Sequence, residues 1–336
     1  MRHSQLRQTI AIAHSIRRPL LIWGSPGLGK SMSVNDYAAS IGLPVIDWPL
    51  TLMDQVDMRG TPNNKREIGF THWDPPGELP REGKGILFLD ELAQASMQVK
   101  NAAARLVLEG RIGEWKLPPG WWVCAASNRM TDAAGTSPMP KQLNNRFWHV
   151  DLDLSHSDWF EWAETHGVDY RVIAYLKYAE AALFEFDPKS SEAAFPTPRS
   201  WTDGVSDIMK KIGEQKEVLA LDPALLNEMV SGNVGKVRGG EFVGFLRVLH
   251  SLTSMDRILS DPQNAPIAKE PSVRYALATG LTRAVDKKTL SAAFIYMQRM
   301  SKEFAFVFAR KLEREQPELR KTKPFVDFVS ANADYL

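Results

Sequence analysis

Residues Gly24-Ser25-Pro26-Gly27-Leu28-Gly29-Lys30-Ser31 match the pattern G-x-x-x-x-G-K-[ST] in full, and the chemistry of that pattern is the gripping of phosphate. Glycines let main-chain N–H groups converge on phosphate oxygens, and the N-terminus of a following helix adds a favourable dipole. In such a loop Lys30 would neutralise the β- and γ-phosphates, and the Ser31 hydroxyl would ligate Mg²⁺. Further on, Ile86-Leu87-Phe88-Leu89 runs into Asp90-Glu91. Two carboxylates then stand at the carboxyl end of a buried strand, where open α/β sheets bind ligands. Asp90 would hold the metal shell, and Glu91 could polarise an attacking water as general base. A small-molecule kinase has no need to activate water, so the pair points to hydrolysis.

Three more side chains have suitable chemistry at suitable places. Asn128 follows the apolar run Trp121–Ser127; its amide could reach a γ-phosphate or orient the water, while the usual reason for Asn at such a place, and the one spacing alone favours, is a turn that ends a strand. Arg146 precedes the run Trp148–Leu152, and Arg199 opens a helical stretch. A guanidinium suits the charge of a transferring phosphoryl group, and it suits an exposed element boundary as well. Residue types leave both readings open at all three positions. Asn128-Arg129-Met130-Thr131-Asp132 is not the N-K-x-D base reader of common GTPases, so ATP is the expected nucleotide.

The elements that must position these groups are legible as alternating apolar runs and helical stretches over residues 18–154, the pattern of a parallel sheet covered by helices. Strands are expected at Leu20–Trp23, Pro44–Trp48, Ile86–Leu89, Trp122–Ala126 and Trp148–Leu152, with helices at Lys30–Ile41 and Ala93–Glu109. Residues 51–80 carry two turn clusters around the alternating run Glu67–Trp73 and read as an insertion with a hairpin. From residue 155 the pattern is helical: Ser155–His166, Tyr170–Phe184, Ser200–Lys211, Gly239–Leu252, Val273–Thr282 and Thr289–Leu312. Asp187–Pro198 and the Gly/Asn/Lys-rich Ser231–Gly240 are the expected joints. The fold class is therefore α/β, a P-loop NTPase with a parallel sheet sandwiched by helices over 1–154, followed by an α-helical lid and helical C-terminal region over 155–336.

Composition narrows the classes. With 336 residues, 44% hydrophobic and 24% charged, the chain is long enough for about two domains with substantial cores. A net charge of +1 supplies no global field toward nucleic acid or membrane. The single cysteine, Cys124, can form no internal disulfide and fits a reducing compartment. No run nears the ~18 apolar residues of a membrane span, and Met1–Leu6 lacks a signal-peptide core, so a cytoplasmic location is expected. Histidines show no metal-ligand spacing. The ten tryptophans read as core. The basic residues of 310–323 alternate with Glu313, Glu315 and Glu318 as on a solvated helix face. Lys236-Val237-Arg238 is a second candidate contact for an acidic partner. Phe70, His72 and Trp73 of the insert suit either client contact or packing of the hairpin.

Taken together, the phosphate loop, Asp90-Glu91, Asn128, Arg146 and Arg199 resemble, in order and approximate spacing, the Walker A, Walker B, sensor 1, arginine finger and sensor 2 of AAA+ ATPases. Gly60-Thr61-Pro62, Phe70 and Pro76-Gly77-Glu78-Leu79 before Leu87–Leu92 look like the MoxR-type and dynein-related branch, whose second-helix insert carries a hairpin. Leu117-Pro118-Pro119, Gly135–Pro140 and Asn145-Arg146-Phe147 are similar to the same branch, with Asn145 in place of its usual aspartate. The resemblance covers roughly residues 5–205. It implies ATP with Mg²⁺ at sites between subunits of a homo-oligomer, usually a hexameric ring. Arg146 would reach the neighbour's γ-phosphate, and Arg199 on the lid would couple nucleotide state to lid angle. It also implies a protein client remodelled or activated, in some members with a von Willebrand factor A-domain protein. Two other classes of function compete with this one. A nucleic-acid motor of restriction or helicase type would need a basic pore, and neutral charge and the lack of an appended DNA-binding motif weigh against it. A nucleotide-gated assembly module with little turnover would not need the Asp90-Glu91 pair.

Overall fold

The computed structural model describes residues 1–63, 71–132, 135–215, 218–252 and 255–332. The chain divides into two compact units, Met1–Trp159 with Phe186–Ser190 and Phe160–Glu185 with Ser191–Leu336. In chain order the first unit holds α1 (His3–Ser15), β1 (Leu20–Trp23), α2 (Lys30–Ser40), β2 (Val45–Pro49), α3 (Gln55–Arg59), β3 (Thr61–Asn63), β4 (His72–Asp74) and β5 (Lys84–Asp90). It continues with α4 (Met97–Glu109), β6 (Arg111–Ile112), β7 (Trp115–Lys116), β8 (Gly120–Ser127), α5 (Lys141–Asn144) and β9 (Trp148–Asp151).

Five of these strands form one sheet in the order β2-β5-β8-β1-β9, with every neighbouring pair parallel. The three central strands are buried almost throughout, as unbroken apolar runs require when helices cover both faces. The outer strands alternate: in β2 only Trp48 is buried and in β9 only Val150. Pro49, with no N–H to give, ends an edge strand, where that loss is tolerated. Side chains leave the sheet in two directions. Leu21, Leu87, Leu89, Val123 and Ala125 join Val99, Ala103 and Leu106 of α4 and Leu143 of α5 in one core. The opposite set, Leu20, Ile22, Ile86, Phe88, Trp122 and Cys124, is equally buried. On that side His14 of α1 packs its ring on Trp122 and on Tyr37 of α2. This is the α/β class expected from the sequence, a parallel sheet between helical layers. Burial pushes the Cys124 thiol far above its usual range, which leaves it inert.

The insert differs in part from its expected form. β3 and β4 pair antiparallel, with Thr61 opposite Asp74, Pro62 opposite Trp73 and Asn63 opposite His72, giving two legs of a hairpin. Phe70 and most of the run Glu67–Trp73 lie outside the described residues. The segment also carries the short helix α3, capped by the Asp54 carboxylate on the Val56 and Asp57 N–H groups. A second small hairpin, β6 with β7, was not expected. Helix α4 starts at Met97, not Ala93, because residues 91–95 form a turn and the Ser96 hydroxyl caps the Val99 N–H at 3.3 Å.

Within its described residues the second unit is helical. Helix α6 (His156–Thr165) runs into it, and α7 (Tyr170–Tyr178) and a tight turn at Glu180–Leu183 follow. A π-helical stretch (Ser200–Ser206) leads to α8 (Asp207–Gln215), α9 (Pro223–Val234), α10 (Lys236–Leu252), α11 (Met255–Ser260), α12 (Pro271–Ala284), α13 (Leu290–Met300), α14 (Lys302–Glu315) and α15 (Lys323–Ala331). Two expectations fail here. Thr289–Leu312 is two helices, broken at the extended Ser301, and this lets Phe294 stand 5.2 Å from Phe308; fourteen residues of straight helix would hold them about 21 Å apart. Ser231–Gly240 is not a loose joint, since α9 and α10 enclose it and only Gly235 breaks the helix. Its Arg238 pairs with Glu185 and Glu241. No helix among the described residues is long and apolar enough to cross a membrane.

Candidate nucleotide site

The phosphate loop leaves β1 at Trp23 and ends where α2 begins, so its residues lie outside the carboxyl end of the sheet. Gly24 has no room for a side chain: a Cβ there would stand 3.0 Å from the Leu152 carbonyl oxygen. Gly29 takes φ +86° immediately before the first turn of α2, a left-handed backbone that other residues enter only at a cost. The loop closes on Lys30, whose buried Nζ donates to the carbonyl oxygens of Gly24 (2.7 Å) and Ser25 (3.1 Å) and to Asn128 Oδ1 (2.9 Å). Ser31 Oγ donates to Asp90 Oδ2 at 2.7 Å. Thus Lys30, Ser31, Asp90 and Asn128, spread over 98 residues, converge at the carboxyl end of the sheet.

Glu91 follows Asp90 with φ +58°. An L-residue with a long side chain in that region carries roughly 1–2 kcal/mol of strain, so the surroundings must hold it there. Asp90 Oδ1 accepts the Glu91 N–H at 2.9 Å. The next two N–H groups donate to β8, Leu92 to the Ala126 carbonyl and Ala93 to Ser127 Oγ. The Thr51 hydroxyl donates to the Glu91 carboxylate. Nearby in β2, partial desolvation of the surface residue Asp47 and the charges of Asp90 and Glu91 hold its carboxyl above its ordinary range. Negative charge is therefore in excess here, and Ser31 and Asp90 offer the hard oxygen donors that a Mg²⁺ ion prefers.

A second network, which sequence reasoning missed, fixes the loop from the other side. The buried Asp132 accepts from Ser25 Oγ at 3.3 Å and from the Arg129 N–H at 3.1 Å. Arg129 in turn donates to Asp151 (3.2 Å), to the Leu152 carbonyl (2.9 Å) and to Asp153. His3 of α1 meets the Leu28 carbonyl oxygen at 2.7 Å through Nε2. Apart from the Arg129–Asp132 contact, these join partners 22 to 107 residues apart and leave no local pattern in the sequence.

The two arginines are not part of this cluster. Trp148 pairs with Leu20 and Asp151 with Trp23, so Arg146 lies outside the amino end of the sheet, opposite its own chain's phosphate loop. It is exposed, and its guanidinium makes no hydrogen bond or ion pair among the described residues. Arg199 belongs to the second unit, exposed at the residue before the π-helical stretch.

Several known proteins are similar to this chain. An alignment 196 residues long is 29% identical to Midasin of Giardia intestinalis and covers 52% of this chain and 4% of that far longer protein. Among solved structures, NtrX of Brucella abortus in complex with ADP covers 74% of the chain and 67% of its own, at 18% identity and TM-score 0.41. A candidate ATPase of Cytophaga hutchinsonii covers 90% of the chain and 79% of its own, at 13% identity and TM-score 0.36. No family model matches the chain.

Proposed function

We propose that the protein is an AAA+-type ATPase that binds Mg·ATP at the loop Gly24–Ser31 and hydrolyses it where two subunits of a ring meet. The observation that carries this reading is the convergence of the Lys30 ammonium, the Asn128 amide, the Ser31 hydroxyl and the Asp90 carboxylate at the carboxyl end of the sheet. Lys30 now donates to neutral carbonyl oxygens, and phosphate oxygens would give the same donors charged acceptors, about twice as strong. Ser31 and Asp90 would hold the metal, which when bound neutralises charge on the β- and γ-phosphates. Glu91 would take a proton from the attacking water, and Asn128, already on Lys30, would orient that water or the γ-phosphate.

Arg146 supports a shared site, since it stands at the end of the sheet away from its own phosphate loop. On this reading Arg146 serves a neighbour's triphosphate, and Arg199 reports nucleotide state from the helical unit. The motifs Gly60-Thr61-Pro62 and Pro76–Leu79, together with the paired legs of the insert hairpin, favour a MoxR-like cytoplasmic ring, a hexamer, that remodels a protein client such as one with a von Willebrand factor A-domain. Isothermal calorimetry with Mg·ATP tests the premise. The wild-type chain gives a binding heat, and Lys30→Ala loses it; a wild-type chain without heat overturns the reading.

A further inference from the structure

Lys100 is wholly buried in α4, on the same helical stripe as Val99, Ala103 and Leu106 that faces the core. Placing an ammonium there is costly unless its donors are met, and burial pulls its pKa below the ordinary lysine value. All three donors have acceptors, none of them a carboxylate. Nζ donates to the Ala93 carbonyl at 2.7 Å, to the Ser137 carbonyl at 3.0 Å and to Ser137 Oγ at 2.5 Å, which uses the full capacity of the group. The Ala93 carbonyl also accepts the Ser137 N–H at 2.9 Å.

The two segments joined here are the ones that matter for the proposed chemistry. Ala93 lies two residues beyond Glu91, in the turn that holds the strained φ of that residue. Ser137 lies just before α5, whose Leu143 is fixed in the core and accepts the Arg146 N–H at 3.1 Å. Packing alone gives no reason for a cation at this position, because an unbranched apolar side chain fills such a stripe without the desolvation cost.

The geometry points to Lys100 as a positioning residue that locks the turn bearing Glu91 to the segment bearing Arg146, so that the water-activating group of one site and the arginine offered to the next move together. This rests on the ATPase reading above. Its test uses the full chain as wild type, Lys100→Met, Ser137→Ala and the double variant, with Mg·ATP affinity from calorimetry and kcat from phosphate release. Displacement of catalytic groups by about 1 Å costs up to about 100-fold. Lys100→Met is therefore expected to lower kcat at least about tenfold with affinity within about twofold. Ser137→Ala removes one acceptor and little volume, and should lower kcat a few-fold; the double variant should be no slower than Lys100→Met. A residue that only supports the fold would lower the melting temperature and leave kcat of the folded fraction alone. Unchanged kcat in Ser137→Ala and Lys100→Met overturns the inference, and should Lys100→Met not fold, Ser137→Ala decides by itself. A wild-type chain that neither binds nor hydrolyses ATP overturns the nucleotide reading instead.

Discussion

Asp47 shows how the site's charge is balanced before any ligand arrives. Its carboxyl is held above the ordinary value of 3.8 by partial desolvation first and by Asp90 and Glu91 second. An acid whose folded pKa is raised costs stability when ionised. That cost is absent below the unfolded value of 3.8 and grows as pH rises through the folded one. Asp47→Asn should therefore raise the melting temperature at pH 7, by about 1 °C given the usual size of surface substitutions. The gain should fade as pH drops below about 4. Melting curves at the two pH values check this, and an equal gain at both would mean that charge is not the cause. If Ser31 and Asp90 hold a divalent cation as proposed, its binding should shrink the pH 7 gain.

At the scale of elements, the phosphate loop depends on two glycines for different reasons, and the difference can be measured. Gly29 needs its φ of +86°, while a Cβ there meets only His3 Nε2 at 3.6 Å; Gly29→Ala should cost about 1–2 kcal/mol of backbone strain. Gly24 has an ordinary φ, but a Cβ would press on the Leu152 carbonyl oxygen. Gly24→Ala should push the loop away from the chain after β9, weakening nucleotide binding more than stability. Chemical denaturation with calorimetry separates the two, and the same loss pattern in both variants would contradict this division. The loop and the five strands were legible because each carries its signal locally: a complete motif, an unbroken apolar run in the central strands, and shorter runs broken by polar residues in the outer two. The turn at residues 91–95 was not, because bonds to Ala126 and Ser127 of β8 hold it. Ser231–Gly240 looked loose by composition, yet a Cβ on Gly239 would meet Ser231 Oγ at 2.4 Å, so that glycine serves close packing between helices. Lys100 did leave a trace, a lysine on an apolar stripe, but its partners are carbonyl and hydroxyl oxygens up to 37 residues away.

For the whole molecule, the sheet separates the two groups to which the proposed function gives roles. Its carboxyl end carries the phosphate loop and its amino end carries Arg146, and four paired residues of β1 and β9 lie between, a rise of about 13 Å. An arginine so placed acts on a triphosphate only if a second chain presents its own loop there. Lys30→Ala chains would keep the arginine and lose the nucleotide, and Arg146→Ala chains would keep the nucleotide and lose the arginine. Each should be inactive alone, since such a finger is worth about 10³–10⁵ in rate. Mixed in equal amounts and allowed to exchange, they should regain up to about a quarter of wild-type turnover, because a site works when an Arg146→Ala loop meets a Lys30→Ala neighbour, one random pairing in about four. Phosphate release measured across mixing ratios should peak near equal parts. A flat, inactive series from subunits that demonstrably co-assemble would rule out an arginine supplied by the neighbour, and full turnover by Arg146→Ala alone would remove Arg146 from the chemistry.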